Sequence, residues 1–139
     1  MFKKILVPLD GSKLAEKILS RVEWLAKIHD AEVTLLRVAL SSSFPGTNPV
    51  QHQLNVVREA EEYLAKVEEW LRGVGVKVNS VVRYGNDAQE IVEHARDRDF
   101  DLIAMSTHGR TGLAQFVLGS VTNKVINTAP VPILLYRPA

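Results

Sequence analysis

The stretch Leu102-Ile103-Ala104-Met105-Ser106-Thr107-His108-Gly109-Arg110-Thr111-Gly112, resumed at Gly119-Ser120-Val121-Thr122, decides how this chain folds. Leu102 to Met105 is an apolar run without polar alternation, the mark of a strand covered on both faces. A helical pattern carried by Val121, Val125 and Ile126 begins close to Gly119-Ser120. Glycines between a strand and a helix let backbone approach a ligand closely, and the N–H groups at a helix start favour anions. The stretch therefore suits a phosphate cradle. The plain alternative is a turn-rich connector whose glycines serve geometry only. Against it stand the hydroxyls of Ser106, Ser120 and Thr122 and the base Arg110, groups that meet phosphate oxygens.

Elements alternate through the rest of the chain. Ile5 to Leu9 reads as a strand closed by Asp10-Gly11-Ser12. Leu14, Ile18, Val22, Leu25 and Ile28 then form the stripe of one helix, for which Asp10 and Ser12 are both credible N-caps. Val33 to Leu40 is the second strand. Ser41 to Gln51, with Pro45, Gly46 and Pro49, is a long irregular segment, either functional or a disordered connector. Leu54, Val57, Ala60, Leu64, Val67 and Leu71 mark a long helix stopped by Gly73 and Gly75. Its Glu62–Lys66 and Glu68–Arg72 pairs are surface ion pairs worth ~0.3 kcal/mol each.

Val76 to Val82 is the third strand, and Asn86-Asp87 cap a short helix carrying Ala88, Ile91, Val92 and Ala95. Phe100 to Met105 and Val131 to Tyr136 complete five strands. The order implies one α/β domain over residues 1–139, with a parallel sheet wound by right-handed crossovers. In open sheets of this kind ligands bind at the carboxyl ends of the strands, where the winding reverses. If strands one and four are neighbours, the Asp10 turn and the glycine stretch face one crevice.

The composition narrows the function. With 17 basic and 16 acidic residues among 139, the formal net charge is +1, which makes no electrostatic case for nucleic acid or an anionic membrane. The absence of cysteine excludes disulfides and thiolate chemistry. The first apolar run is too short for a signal peptide, and no stretch approaches the ~20 residues of a membrane helix, so a cytoplasmic protein is expected.

Motifs of other classes fail on inspection. Gly73-x-Gly75 is followed by Val78 and a strand, so it stops a helix and is no dinucleotide fingerprint. No P-loop pattern occurs. His29, His52, His94 and His108 show no metal spacing, and Glu90 with His94 reads as a solvated pair. Ser12, Ser106 and Ser120 lie in no nucleophile motif. Asp10 is the best acidic candidate for ligand contact, and its capping role is compatible with that.

The sequence resembles the universal stress protein family. The signature of its nucleotide-binding branch is G-x-x-G, nine residues, then G-[ST]. Here it reads Ser106-Thr107-His108-Gly109, nine residues from Arg110 to Leu118, then Gly119-Ser120. The opening Ile5-Leu6-Val7-Pro8-Leu9-Asp10-Gly11-Ser12 and the closing Ala129-Pro130-Val131-Pro132-Ile133-Leu134 are similar to the family as well. One position departs: Ser106 replaces the first glycine, which matters if the backbone there needs positive φ.

The resemblance implies a Rossmann-like parallel sheet of order 3-2-1-4-5, helices on both faces, and ATP bound between strands one and four. Carried over by position, Pro8, Leu9 and Asp10 line the adenosine site, and Val38 meets adenine through its backbone. Ser106, His108, Gly109 and Arg110 hold ribose and phosphates. Gly119, Ser120, Val121 and Thr122 give N–H and hydroxyl donors to the phosphate tail. A triphosphate's roughly four negative charges exceed Arg110 plus a helix dipole of about half a charge, so Mg²⁺ is expected through the phosphates. The resemblance also implies a homodimer through Val131 to Tyr136, where Pro132 and the exposed edge fit a terminal strand.

The expected function is a nucleotide-dependent stress-response module. Hydrolysis is at most slow, because only His108 and Asp10 could serve as base and neither has a visible orienting partner. The alternative is a dimeric interaction module that binds no nucleotide, with Ser106 as its motif evidence.

Overall fold

The computed structural model describes residues 1–41, 45–46, 48–108 and 118–138. The elements in order are β1 (Lys4–Pro8), α1 (Lys13–Glu16), α2 (Leu19–His29), β2 (Glu32–Leu40), α3 (Pro49–Gly73) and β3 (Lys77–Gly85). They are followed by α4 (Asp87–Asp97), β4 (Leu102–Ser106), α5 (Ser120–Thr128) and β5 (Ile133–Tyr136). All neighbouring strands pair in parallel, in the order β3-β2-β1-β4-β5. The expected α/β sheet and its strand order are both present.

The apolar runs are continuous because the sheet is covered on both faces. Ile5, Val7 and Leu9 pack with Val22 of α2 and with Leu64 and Leu71 of α3 on one face. Leu6 turns the other way, packing with Ile91, Ala95, Ile103 and Val125 against α4 and α5. Each of these large side chains contributes about 1.5–3 kcal/mol of transfer free energy when fully buried. The chain moves from β1 outward to β3 with α2 and α3 on one face, then crosses to β4 with α4 and α5 on the other. The winding therefore reverses between β1 and β4, whose pairing aligns Ile5 with Leu102.

Several local expectations are corrected. The first helical stripe is two helices, α1 and α2. At the junction Lys17 N–H donates to Leu14 O and Arg21 N–H to Ile18 O, bonds of i→i−3 type that tighten the chain. Ile28, expected inside, is 57% exposed, because Leu19, Val22 and Ala26 form the inward face. Leu54 is 54% exposed and Ile126 also faces solvent. All five strands differ from their expected bounds at one end or both, with β1 starting at Lys4, β2 at Glu32 and β3 running on to Gly85. Glu68–Arg72 pairs as expected, whereas Glu62–Lys66 is absent from the ion pairs among the described residues.

Glu90 and His94 are no solvated pair. Glu90 accepts from Arg83 Nε at 2.7 Å, and His94, buried at 6% exposure, sits with Nδ1 3.2 Å from Arg83 Nη1. His94 also packs against the Phe100 ring. Burial, reinforced by the nearby Arg83, Arg98 and Lys4 charges, lowers the His94 pKa, with Asp97 acting weakly the other way.

Candidate functional site in the cleft at the carboxyl ends of the strands

A cleft of about 630 Å³ opens where the winding reverses. Its walls come from the ends of β1, β2 and β4 and from α3, α4 and α5. Pro8, Leu9 and Asp10 line it from β1, and Val38 from β2. Ser106 and His108 line it after β4, and Gly119 to Thr122 line it from the start of α5. These ten sequence-nominated residues share one cavity. Gly109 and Arg110 lie outside the described residues.

The turn after β1 is built by side chains that hold backbone. Ser12 is the N-cap of α1, its hydroxyl accepting from Ala15 N–H at 3.1 Å. Asp10 plays a different part: its Oδ1 accepts from Ser12 N–H at 2.9 Å, an Asx turn that faces the carboxylate into the cleft region. Gly11 between them has φ +89, and a Cβ there would stand 2.5 Å from Arg37 Nη1. The positive φ is what favours glycine at this turn, and the guanidinium tip fills the space beside it.

Arg37 is the residue the sequence reading missed. It is buried in the cleft wall, its guanidinium 5.0 Å from the centre of the Tyr63 ring. The Tyr63 hydroxyl in turn donates to Glu16 at 2.7 Å, and burial together with that carboxylate pushes its pKa up, so it stays a donor. The signal was present: one arginine interrupts the otherwise apolar Leu35-Leu36-Arg37-Val38 run. A cation in such a position needs partners or a ligand to offset its lost hydration.

Ser106 is the last residue of β4, and positive φ among non-glycine residues occurs only at Asp30 and Asp99 within the described residues. Its backbone is extended, so serine fits without strain. The hydroxyl donates to Ala15 O at 3.2 Å, tying β4 to α1. Thr122 Oγ1 donates to Ser106 O at 3.1 Å, tying α5 to the same strand end. Both hydroxyl protons are thus committed within the protein, contrary to the expectation that they are spare donors. Their oxygens can still accept.

The chain leaves the strand at Thr107 and returns at Gly119, where Gly119 N–H donates to Thr107 O at 2.9 Å. A Cβ on Gly119 would meet that oxygen at 3.2 Å and His108 Cα at 3.6 Å, so glycine permits this close approach. Helix α5 starts next with no side-chain cap. Its first N–H groups have no intrahelical acceptors and, with the exposed Ser120 hydroxyl, are chemically able to donate to an anion. His108 is buried with Nδ1 3.0 Å from Thr107 Oγ1. The sequence reading expected no orienting partner, and Thr107 supplies one.

The residues found fit an adenine nucleotide: an apolar end at Val38, Leu40, Val56 and Ile91, and a donor-rich end at α5. Charge is poorly matched to a bare triphosphate. Among the described lining residues, three carboxylates (Asp10, Glu59 and Asp87) face one cation, Arg37. No metal-binding cluster of side chains occurs among the described residues.

The universal stress protein family matches residues 1–137. The chain belongs to the universal stress protein family. Universal stress protein MJ0531 of Methanocaldococcus jannaschii is 36% identical over 142 residues, covering 99% of this chain and 83% of that protein. The solved structure of MJ0577 from the same organism superimposes with a TM-score of 0.90 at 33% identity, covering 100% of this chain and 98% of the other. A universal stress protein from Archaeoglobus fulgidus, solved in complex with dAMP, has a TM-score of 0.73 at 20% identity, over 96% of this chain and 97% of that one. At that identity the likeness is one of fold. Within the family, this chain carries the signature with serine at its first glycine, on a strand end that accommodates it. No helix among the described residues is long and apolar enough to cross a membrane.

Proposed function

We propose that this universal stress protein binds ATP in the cleft and acts in the cytoplasm as a nucleotide-dependent stress-response module. One observation carries the reading. Ten residues nominated from separate parts of the sequence line one cleft at the point where the winding reverses. Pro8, Leu9 and Asp10 line the adenosine end, with Val38 meeting adenine through its backbone. Ser106 and His108, with Gly109 and Arg110, hold ribose and phosphates, and the start of α5 receives the tail.

Mg²⁺ accompanies the triphosphate in this reading, bound through its phosphates and water. The three carboxylates in the wall strengthen the case, since uncompensated negative charge on the ligand would face negative charge on the protein. A bound divalent ion neutralises phosphate charge. Hydrolysis is slow at most in this reading, because the cleft end at α5 supplies mainly cradle donors for phosphates. The interaction module without nucleotide loses its motif support, because Ser106 occupies extended backbone. We also propose a homodimer through the β5 edge.

Titration calorimetry with MgATP, ADP and AMP tests the binding. Saturable heat with MgATP, weakened by excess chelator, is expected. No heat at millimolar MgATP and no adenine nucleotide in the purified protein would sink the reading. Equal ATP affinity with and without chelator would remove the metal alone.

A further inference from the structure

Helix α3 packs on β2 and β3, on the far side of β1 from the strand that leads to α5. Its buried residues all lie between Ala60 and Leu71, so the turns before Ala60 overhang the sheet. Those turns bring His52, Val56 and Glu59 into the cleft wall, beside Val38 and Leu40. Among the described residues, His52 Nε2 is the one buried side-chain nitrogen or oxygen without a hydrogen-bond partner. A polar atom held away from water with nothing to bond is costly, and a ligand that supplies the partner recovers that cost.

We propose that His52 reads the polar edge of the nucleobase, which makes it a specificity-determining residue. The inference rests on the nucleotide reading above. If the phosphates lie at the start of α5, the end of the ligand that reaches α3 is the base. The surrounding Val38, Leu40 and Val56 suit a flat, uncharged ring. A neutral imidazole offers one donor and one acceptor, and adenine presents both along its edge. The His52 side chain is partly exposed and lines the cleft.

The test compares MgATP with inorganic tripolyphosphate, which has no base, on the full chain by calorimetry. His52→Leu should weaken MgATP by about tenfold and leave tripolyphosphate unchanged, while His52→Gln, which keeps a donor and an acceptor, restores most of the affinity. In the wild type, the His52 ring nitrogens should shift in NMR spectra on adding MgATP but not tripolyphosphate. Unchanged MgATP affinity in His52→Leu, or equal weakening of both ligands, overturns the inference while leaving nucleotide binding intact. Silent ring nitrogens do the same without any variant. A wild type that binds neither ligand overturns both readings.

Discussion

Ser106 shows what one residue decides. A glycine at this point in the signature suggests a need for free backbone, yet the serine sits at the end of β4 without positive φ. Its hydroxyl holds Ala15 O and its carbonyl receives Thr122 Oγ1, so three elements meet on it. Ser106→Gly should cost about 1–2 kcal/mol in urea denaturation, from the lost bond and the freer unfolded backbone. Nucleotide affinity should change by less than about threefold, since a single neutral donor already committed elsewhere is removed. A tenfold or larger gain in affinity would show that the serine obstructs the cradle. Thr122→Val keeps the volume and leaves Ser106 O without that donor. It should destabilise by about 1–2 kcal/mol, and a null effect would show that α5 is held by other contacts. The presence of Ser106 was legible in the sequence, but the partner that receives its hydroxyl proton was not, because Ala15 lies 91 positions away.

At the scale of elements, α3 and α4 extend what the hydrophobic pattern could say. The spacing of Leu54 with Ala60 and Leu64 is helical, and the helix is there, but Leu54 is exposed. Twenty-five residues span about 38 Å, whereas the nine of β2 span about 30 Å. A helix longer than its sheet must leave some of its apolar stripe uncovered. In α4 the opposite happened, with His94 carried inward by Arg83 and Phe100. The folded protein favours neutral His94, holding its pKa below the ordinary 6.5. The unfolded chain therefore binds the proton more readily, and stability present above pH 6.5 is lost as pH falls through the folded value. The urea midpoint should drop from about pH 7 to about pH 5, and His94→Gln should flatten that fall. An identical pH profile in the variant would assign the effect to other groups.

For the whole molecule, β5 ends the sheet and pairs with β4 alone among the strands. Leu135 on it is exposed, and the outer row of backbone groups has no strand beside it among the described residues. Such an edge favours pairing with a second copy. Light scattering should give a dimeric mass at micromolar concentrations, and Leu135→Lys should shift it toward monomer. A monomeric wild type across that range refutes the dimer.

The sequence by itself determined the alternation of strands and helices, because burial on both faces of a parallel sheet forces continuous apolar runs and helical stripes between them. It also nominated most of the candidate site, since strand ends, glycine turns and helix starts are written locally. Tertiary structure decided which ends meet, through the reversal of winding between β1 and β4. It alone placed Arg37 under Gly11 and His52 at the overhang of α3, contacts between residues whose chemistry gives no local hint of their partners. Spacing along a chain records which face a side chain takes, whereas the wall it joins depends on the lengths and order of the packed elements.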